Sequence, residues 1–419
     1  MRSTLLSATA VATIMGVAFA APAFAGDPEK AVYTFTGGND GGSPQGGVIA
    51  DASGALYGTT SSGGSGHSGV VYKLTPTAKG NKGFKQSTLY AFTGGADGAT
   101  PMDNLYIDST GALYGTTYAG GANGYGVVYK LTPPGAGKKA WTQTVLWTFT
   151  GGADGGNPQT TLIGDGQGNL YGTTTEGGSG VVGTVFELSP PGAGQTAWTE
   201  TVRYNFTGNS DGGEPFGGLV FGPAGSIYGT TAGYGQYNDG TVYRLGPPMD
   251  GQGDRSFYLV HAFQGGSDGD TPRDGLIVDN SGNLFGTTAG FDNQGTVFEL
   301  SSADGGQSWT QQVLYQFSGA GFDGNGPWQT VSMDASGALF GTTLGVGKSA
   351  YGEVFKLSPP AAGRSKWKLQ VLHTFQDNAK SQFPLSGVLI GADGTLFGTT
   401  EGSAGQSGYY PGNVWKITP

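Results

Sequence analysis

Acids recur through this chain at a fixed offset. Asp40, Asp97, Asp154, Asp211 and Asp268 each stand five residues after a phenylalanine; Asp323 stands one place later, and Lys380 fills the seventh position. A ring of carboxylates is hard-cation chemistry, and Ca²⁺, which prefers oxygen ligands, is the ion it would hold. An Asp before Gly also builds a turn, because its side chain bonds to the nearby backbone. No D-x-D-x-D-G run gathers several ligands on one loop, and the acid is used about once per repeat. The turn reading therefore comes first, calcium second, and no cofactor is expected.

A second set of positions differs where its surroundings repeat. Directly after a recurring proline stand Gln45, Met102, Gln159, Phe216, Arg273, Trp328 and Leu385, with Asp103 and Asp274 following in two repeats. Such a mixture suits a polar ligand with an apolar face, such as a sugar. The stretch Glu401–Pro411 carries Tyr409 and Tyr410 and reads as a lid, an interaction loop or a cover over a seam. Other catalytic signals are weak. Glu214, Glu401, His67 and Arg273 are the candidates if the chain is an enzyme, which would be a polysaccharide lyase or glycoside hydrolase. His261 and His373 take places filled elsewhere by Tyr or Trp, which reads as packing. There is no nucleophile elbow, P-loop or H-E-x-x-H.

The elements that must position these residues are written in the repeat. A glycine in [LI]-[YF]-G-T-T returns as Gly58, Gly115, Gly172, Gly229, Gly286, Gly341 and Gly398, at intervals of 57 with one of 55. In the third unit Thr161 to Asp165 reads as strand A, Leu170 to Thr174 as B, Gly183 to Leu188 as C and Trp198 to Phe206 as D. Strand D alternates, with Trp198, Glu200, Val202, Tyr204 and Phe206 on one face. Four short strands in each of seven units predict an all-β, seven-bladed β-propeller of antiparallel blades. The expected mature chain opens with a lone D strand, Ala31 to Phe35, and ends with a C strand, Gly412 to Ile417. Pairing the two closes the ring and hides two edges. In that fold the D–A and B–C loops share one face, and the residues after the prolines ring the channel mouth.

The motifs F-x-G-G-x-D-G-x-x-P, D-x-x-G-x-L-[YF]-G-T-T and G-x-V-[YF]-[KE]-L together resemble the GloVer tandem-repeat family of exported bacterial proteins. The resemblance spans Val32 to Pro419. It implies export and a repeat array, and it brings no settled activity. Separately, Ser302-x-Asp304-x-Gly306-x-Ser308-Trp309 matches an Asp box in a C–D turn. That likeness supports a blade without implying sialidase chemistry.

Composition narrows the partners. The chain has 419 residues, 83 of them glycine, and a net charge of −10. An acidic chain lacks the basic footprint of a nucleic-acid binder. Zero cysteines exclude disulfides and thiolate metal sites. Met1-Arg2, an apolar run from Leu5 to Ala20, and Ala23-x-Ala25 read as a signal peptide over residues 1–25, leaving 26–419 as one domain. The expectation is an exported, periplasmic or extracellular monomer with no membrane insertion after cleavage. It would be a binding or scaffold module for a glycan or an envelope protein.

Overall fold

The computed structural model describes residues 27–77, 83–247, 255–290, 294–319, 324–345, 351–376, 382–402, 404–405 and 408–418. The expected signal segment, Asp323 and Lys380 lie outside the described residues, as does the side chain of Tyr409.

Seven four-stranded antiparallel sheets form a seven-bladed β-propeller. In the third blade the strands are Ile163–Gly164 (A), Leu170–Thr174 (B), Thr184–Ser189 (C) and Thr199–Asn205 (D). They pair in the order A-B-C-D, as in every other blade. The seventh blade joins both ends of the chain: Leu389–Ile390, Leu396–Thr400 and Asn413–Thr418 are completed by Asp27–Thr34. Ala31 opposes Trp415 and Thr34 opposes Asn413, so the ring is closed by strand pairing as expected.

Two details differ from the sequence expectation. Strand A is two residues long, shorter than the five residues from Thr161 to Asp165. Strand D does not alternate throughout. Tyr204 opposes Val185 while Val202 opposes Phe186, leaving Arg203 as an extra residue in a bulge. The same shift recurs in the other blades. A bulge flips the facing of the residues beyond it, which a strict period of two cannot describe.

The core lies between blades. Tyr57 and Val71 of the first blade cluster with Phe92, Leu113 and Tyr129 beyond it. Two repeated contacts make each junction, and a third, within the blade, shapes the ring they use. First, Phe35, Phe92, Phe149, Phe206, Phe263, Phe317 and Phe375 are buried. Each packs edge-on against the C-strand aromatic of the following blade: Tyr72, Tyr129, Phe186, Tyr243, Phe298, Phe355 and Trp415. Such a pair adds about 0.5–1.5 kcal/mol beyond its buried area.

Second, each of those aromatics lies over the glycine of [LI]-[YF]-G-T-T. Gly58 opposes Tyr72 in the ladder, and a Cβ at Gly58 would lie 2.5 Å from the phenol oxygen. The glycine is therefore dictated by a ring in its own blade rather than by the close approach of another strand. Third, the first threonine of each pair reaches the next blade. Thr59 donates to Asp103 O, Thr116 to Thr160 O, Thr173 to Gly217 O and Thr230 to Asp274 O. Thr287 donates to Gln329 O, Thr342 to Ser386 O and Thr399 to Gly46 O, the last across the seam between first and last blades.

Candidate functional site

The loop from strand D to the next strand A is built by the repeated acid. Asp40 accepts the Tyr33 hydroxyl and the Thr36 N–H, each at 2.9 Å, and also the Thr36 hydroxyl. Asp97 repeats this with Tyr90 and Thr93, Asp154 with Trp147 and Thr150, and Asp211 with Tyr204 and Thr207. Asp268 accepts the Gln264 N–H at 2.9 Å and lies 3.1 Å from His261 Nε2. Burial alone would raise the Asp97 carboxyl; the bonds from Thr93 and Tyr90 outweigh it and hold the group below its usual range. These oxygens are occupied by the turn. Among the described residues no group of three or more His, Asp or Glu is placed to hold a metal.

After this turn the chain reaches the proline through a residue in left-handed conformation. Ser43, Thr100, Asn157, Glu214, Thr271, Gly326 and Phe383 have φ of 53°, 57°, 54°, 55°, 54°, 61° and 55°. Six of the seven are not glycine, and left-handed backbone at such residues costs on the order of 1 kcal/mol each. Each is pinned on both sides. Glu214 donates its N–H to Val182 O of the preceding blade at 2.8 Å and accepts from Ala232 N at 3.1 Å. The pattern holds at Thr100, with Ser68 O and Tyr118 N, and at Phe383, with Tyr351 O and Glu401 N. The side chain after the proline thus projects from a backbone with little freedom.

All nine residues expected at the channel mouth line one cavity: Gln45, Met102, Asp103, Gln159, Phe216, Arg273, Asp274, Trp328 and Leu385. Gly46 and Gln329 complete it, and its volume is about 200 Å³. Gln329 is not among the residues expected from the sequence, yet it follows Trp328 as Asp103 follows Met102, and that offset points to it. Arg273 lies between two rings, its guanidinium carbon 4.9 Å from the Phe216 centroid and 4.4 Å from that of Trp328. Its Nε is enclosed and has no hydrogen-bond partner among the described residues. Burial pushes the guanidinium pKa down, and the charge of Glu214 opposes that shift.

Two carboxyls from opposite sides of the ring line the same cavity, and the charge of one bears on the other. Asp274 accepts the Gly275 N–H at 2.7 Å and the Thr330 N–H at 2.8 Å, one on each oxygen. Asp103 accepts the Asn104 N–H and the Thr161 hydroxyl, both at 2.7 Å and both on Oδ1. Desolvation, and then the charge of Asp274, push Asp103 up to about 7. On the rim, Gln45 Nε2 donates to Glu401 Oε1 at 2.7 Å and ties the last B–C loop to the first blade.

The other candidates lie apart from the cavity. His67 is exposed in the first B–C loop with φ 56°. Tyr409 falls in a small ribbon, Ala404–Gly405 against Gly408–Tyr409, and Tyr410 is half-buried outside the cavity lining. His261 and His373 pack edge-on against Phe263 and Phe375, each at 4.8 Å. The Asp box is a self-contained turn in which Asp304 accepts from Ser302, Gln307 and Ser308. Two cavities involve the A–B turns. One is lined by Arg203, Arg255 and Glu187, the other by Arg244, Tyr258 and Trp309. The sequence reading assigned neither, because their arginines occupy positions within blades rather than at a recurring loop offset.

The Gloeobacter/Verrucomicrobia repeat model matches residues 11–220, 81–298 and 221–419. No curated protein matches the chain. Among solved structures, a candidate oxidoreductase (glucose dehydrogenase) from Thermus thermophilus is 17% identical, covers 75% of this chain and 95% of its own, and has a TM-score of 0.43. A protein of unknown function from Dyadobacter fermentans is 13% identical over 94% of this chain and 97% of its own, with a TM-score of 0.43.

Proposed function

The chain belongs to the Gloeobacter/Verrucomicrobia repeat family, and we propose that this member is an exported binding module that holds a glycan or a cell-envelope partner at the channel mouth. One observation carries the reading. The frame repeats blade after blade, while the ring of positions that varies most freely converges on one cavity with an aromatic-clamped arginine. Ligand sites are concave and combine apolar walls with a few placed polar groups. The test is binding of the protein to a broad glycan array and to a cell-envelope extract. Binding is expected, and it should be lost when Phe216, Arg273 and Trp328 are changed together to alanine. Binding that survives that change removes the cavity as the site.

The carboxyl pair supports a second reading as a glycoside hydrolase, since two interacting carboxyls that burial raises together can keep a proton for acid catalysis. On that reading some polysaccharide is turned over, and Asp103→Asn abolishes the turnover. The acid ring is proposed to serve turns alone. Excess Ca²⁺ and EDTA should then leave the melting temperature unchanged, because an ion bound only to the folded state must raise it.

A further inference from the structure

Arg273 is the least satisfied charge at the mouth. It makes no hydrogen bond or salt bridge among the described residues, and its Nε is enclosed without a partner. The neighbouring acid, Asp274, makes no ion pair with it among the described residues; its two oxygens accept the Gly275 N–H and the Thr330 N–H. Phe216 and Trp328, from the blades on either side, hold the guanidinium between their rings. This removes side-chain freedom before any ligand arrives, a loss that binding would otherwise incur. A planar, fixed, unpaired guanidinium is matched to a carboxylate, which can take two parallel N–H bonds at once.

The rest of the lining narrows the ligand further. Gln159 and Gln329 line the cavity and bring two amides to it. Asp103 bonds through Oδ1 and leaves Oδ2 over. These groups suit hydroxyls, while Met102 and Leu385 suit a C–H face. The cavity, at about 200 Å³, is smaller than the roughly 300–1,000 Å³ typical of drug-sized ligand sites. It admits one ring rather than a run of them.

Resting on the reading that this cavity binds a glycan, we infer that its ligand is an acidic sugar of uronic-acid type whose carboxylate is taken by Arg273. The acid is met by the clamp and the ring hydroxyls by the two glutamines and Asp103. Among the described residues, the charged groups that bear on the cavity are Arg273, Asp103 and Asp274, with Glu214 acting on Arg273 and Glu401 bonded to Gln45. Protonating the carboxyl pair lessens its repulsion of an anion. Binding should therefore tighten as pH falls from about 8 to about 6, a range bracketing the raised Asp103 carboxyl and over which a uronate stays ionised.

The experiment is titration calorimetry with trimers of galacturonate, glucuronate and mannuronate, each beside its carboxyl-reduced neutral counterpart. At least one acid trimer is expected to bind tenfold or more tightly than its reduced partner. Arg273→Gln should remove that preference, and Asp103→Asn should flatten the pH dependence, with circular dichroism showing both variants folded. The wild-type comparison of acid with reduced trimer needs no variant. Equal affinity for the two, or a preference that survives Arg273→Gln, overturns the inference and leaves the glycan-binding reading standing. Failure of every trimer to bind also overturns it, and the array and extract then judge the broader reading separately. Acetate offers the carboxylate without the ring; binding as tight as that of the trimers would overturn the sugar part.

Discussion

Three phenols end in apolar surroundings. The hydroxyls of Tyr72, Tyr129 and Tyr243 are buried and have no hydrogen-bond partner among the described residues. Burial pushes all three pKa values far up. Other blades use Phe186, Phe298 and Phe355 at the same place. A buried polar group without a partner costs roughly 1–3 kcal/mol. Each Tyr→Phe change should therefore raise stability to urea by up to about 1 kcal/mol, without altering binding at the mouth. His373 gives a pH prediction. Burial lowers its pKa from 6.5 to about 4. The unfolded chain then takes the proton first, so the contribution is complete above about pH 6.5 and is lost as pH falls toward 4. His373→Tyr should flatten that part of the stability–pH curve, by on the order of 2 kcal/mol.

At the level of the strand, the glycine and the ring above it are one unit. A Cβ at Gly229 would lie 2.4 Å from the Tyr243 hydroxyl oxygen and 2.7 Å from its ring. Gly229→Ala should cost about 1–3 kcal/mol through overpacking. Pairing it with Tyr243→Leu should recover part of that loss, and a double-mutant cycle in urea measures the coupling. The four-strand order was legible because each strand is bounded by repeated glycines and prolines. The D-strand bulge was not: one extra residue changes neither the composition nor the spacing of the markers around it. The cavity was legible for an unusual reason. Against a background repeated seven times, positions that vary stand out, and those after the prolines face one axis. What the sequence could not show was how they meet. That Arg273 rests between Phe216 and Trp328, or that Asp103 feels the charge of Asp274, depends on which blades close on which.

For the molecule as a whole, stability is a property of junctions, and the seam is the junction made from both ends of the chain. Removing residues 27–34 would leave the edge of Asn413–Thr418 unpaired, and open edges recruit other strands. The truncated protein should lose its sharp melting transition and run as dimers or larger species on size exclusion. A synthetic peptide of residues 27–35 should restore both by strand addition. The seam has a mechanical side as well. Asp27 lies opposite Thr418, and Thr34 opposite Asn413. A pull applied at Asp27 and Thr418 would load one hydrogen bond at a time, peeling the pair like a zipper instead of shearing all its bonds together. Under tension the ring should thus open at its last blade and at low force, while the remaining blades keep all four of their strands.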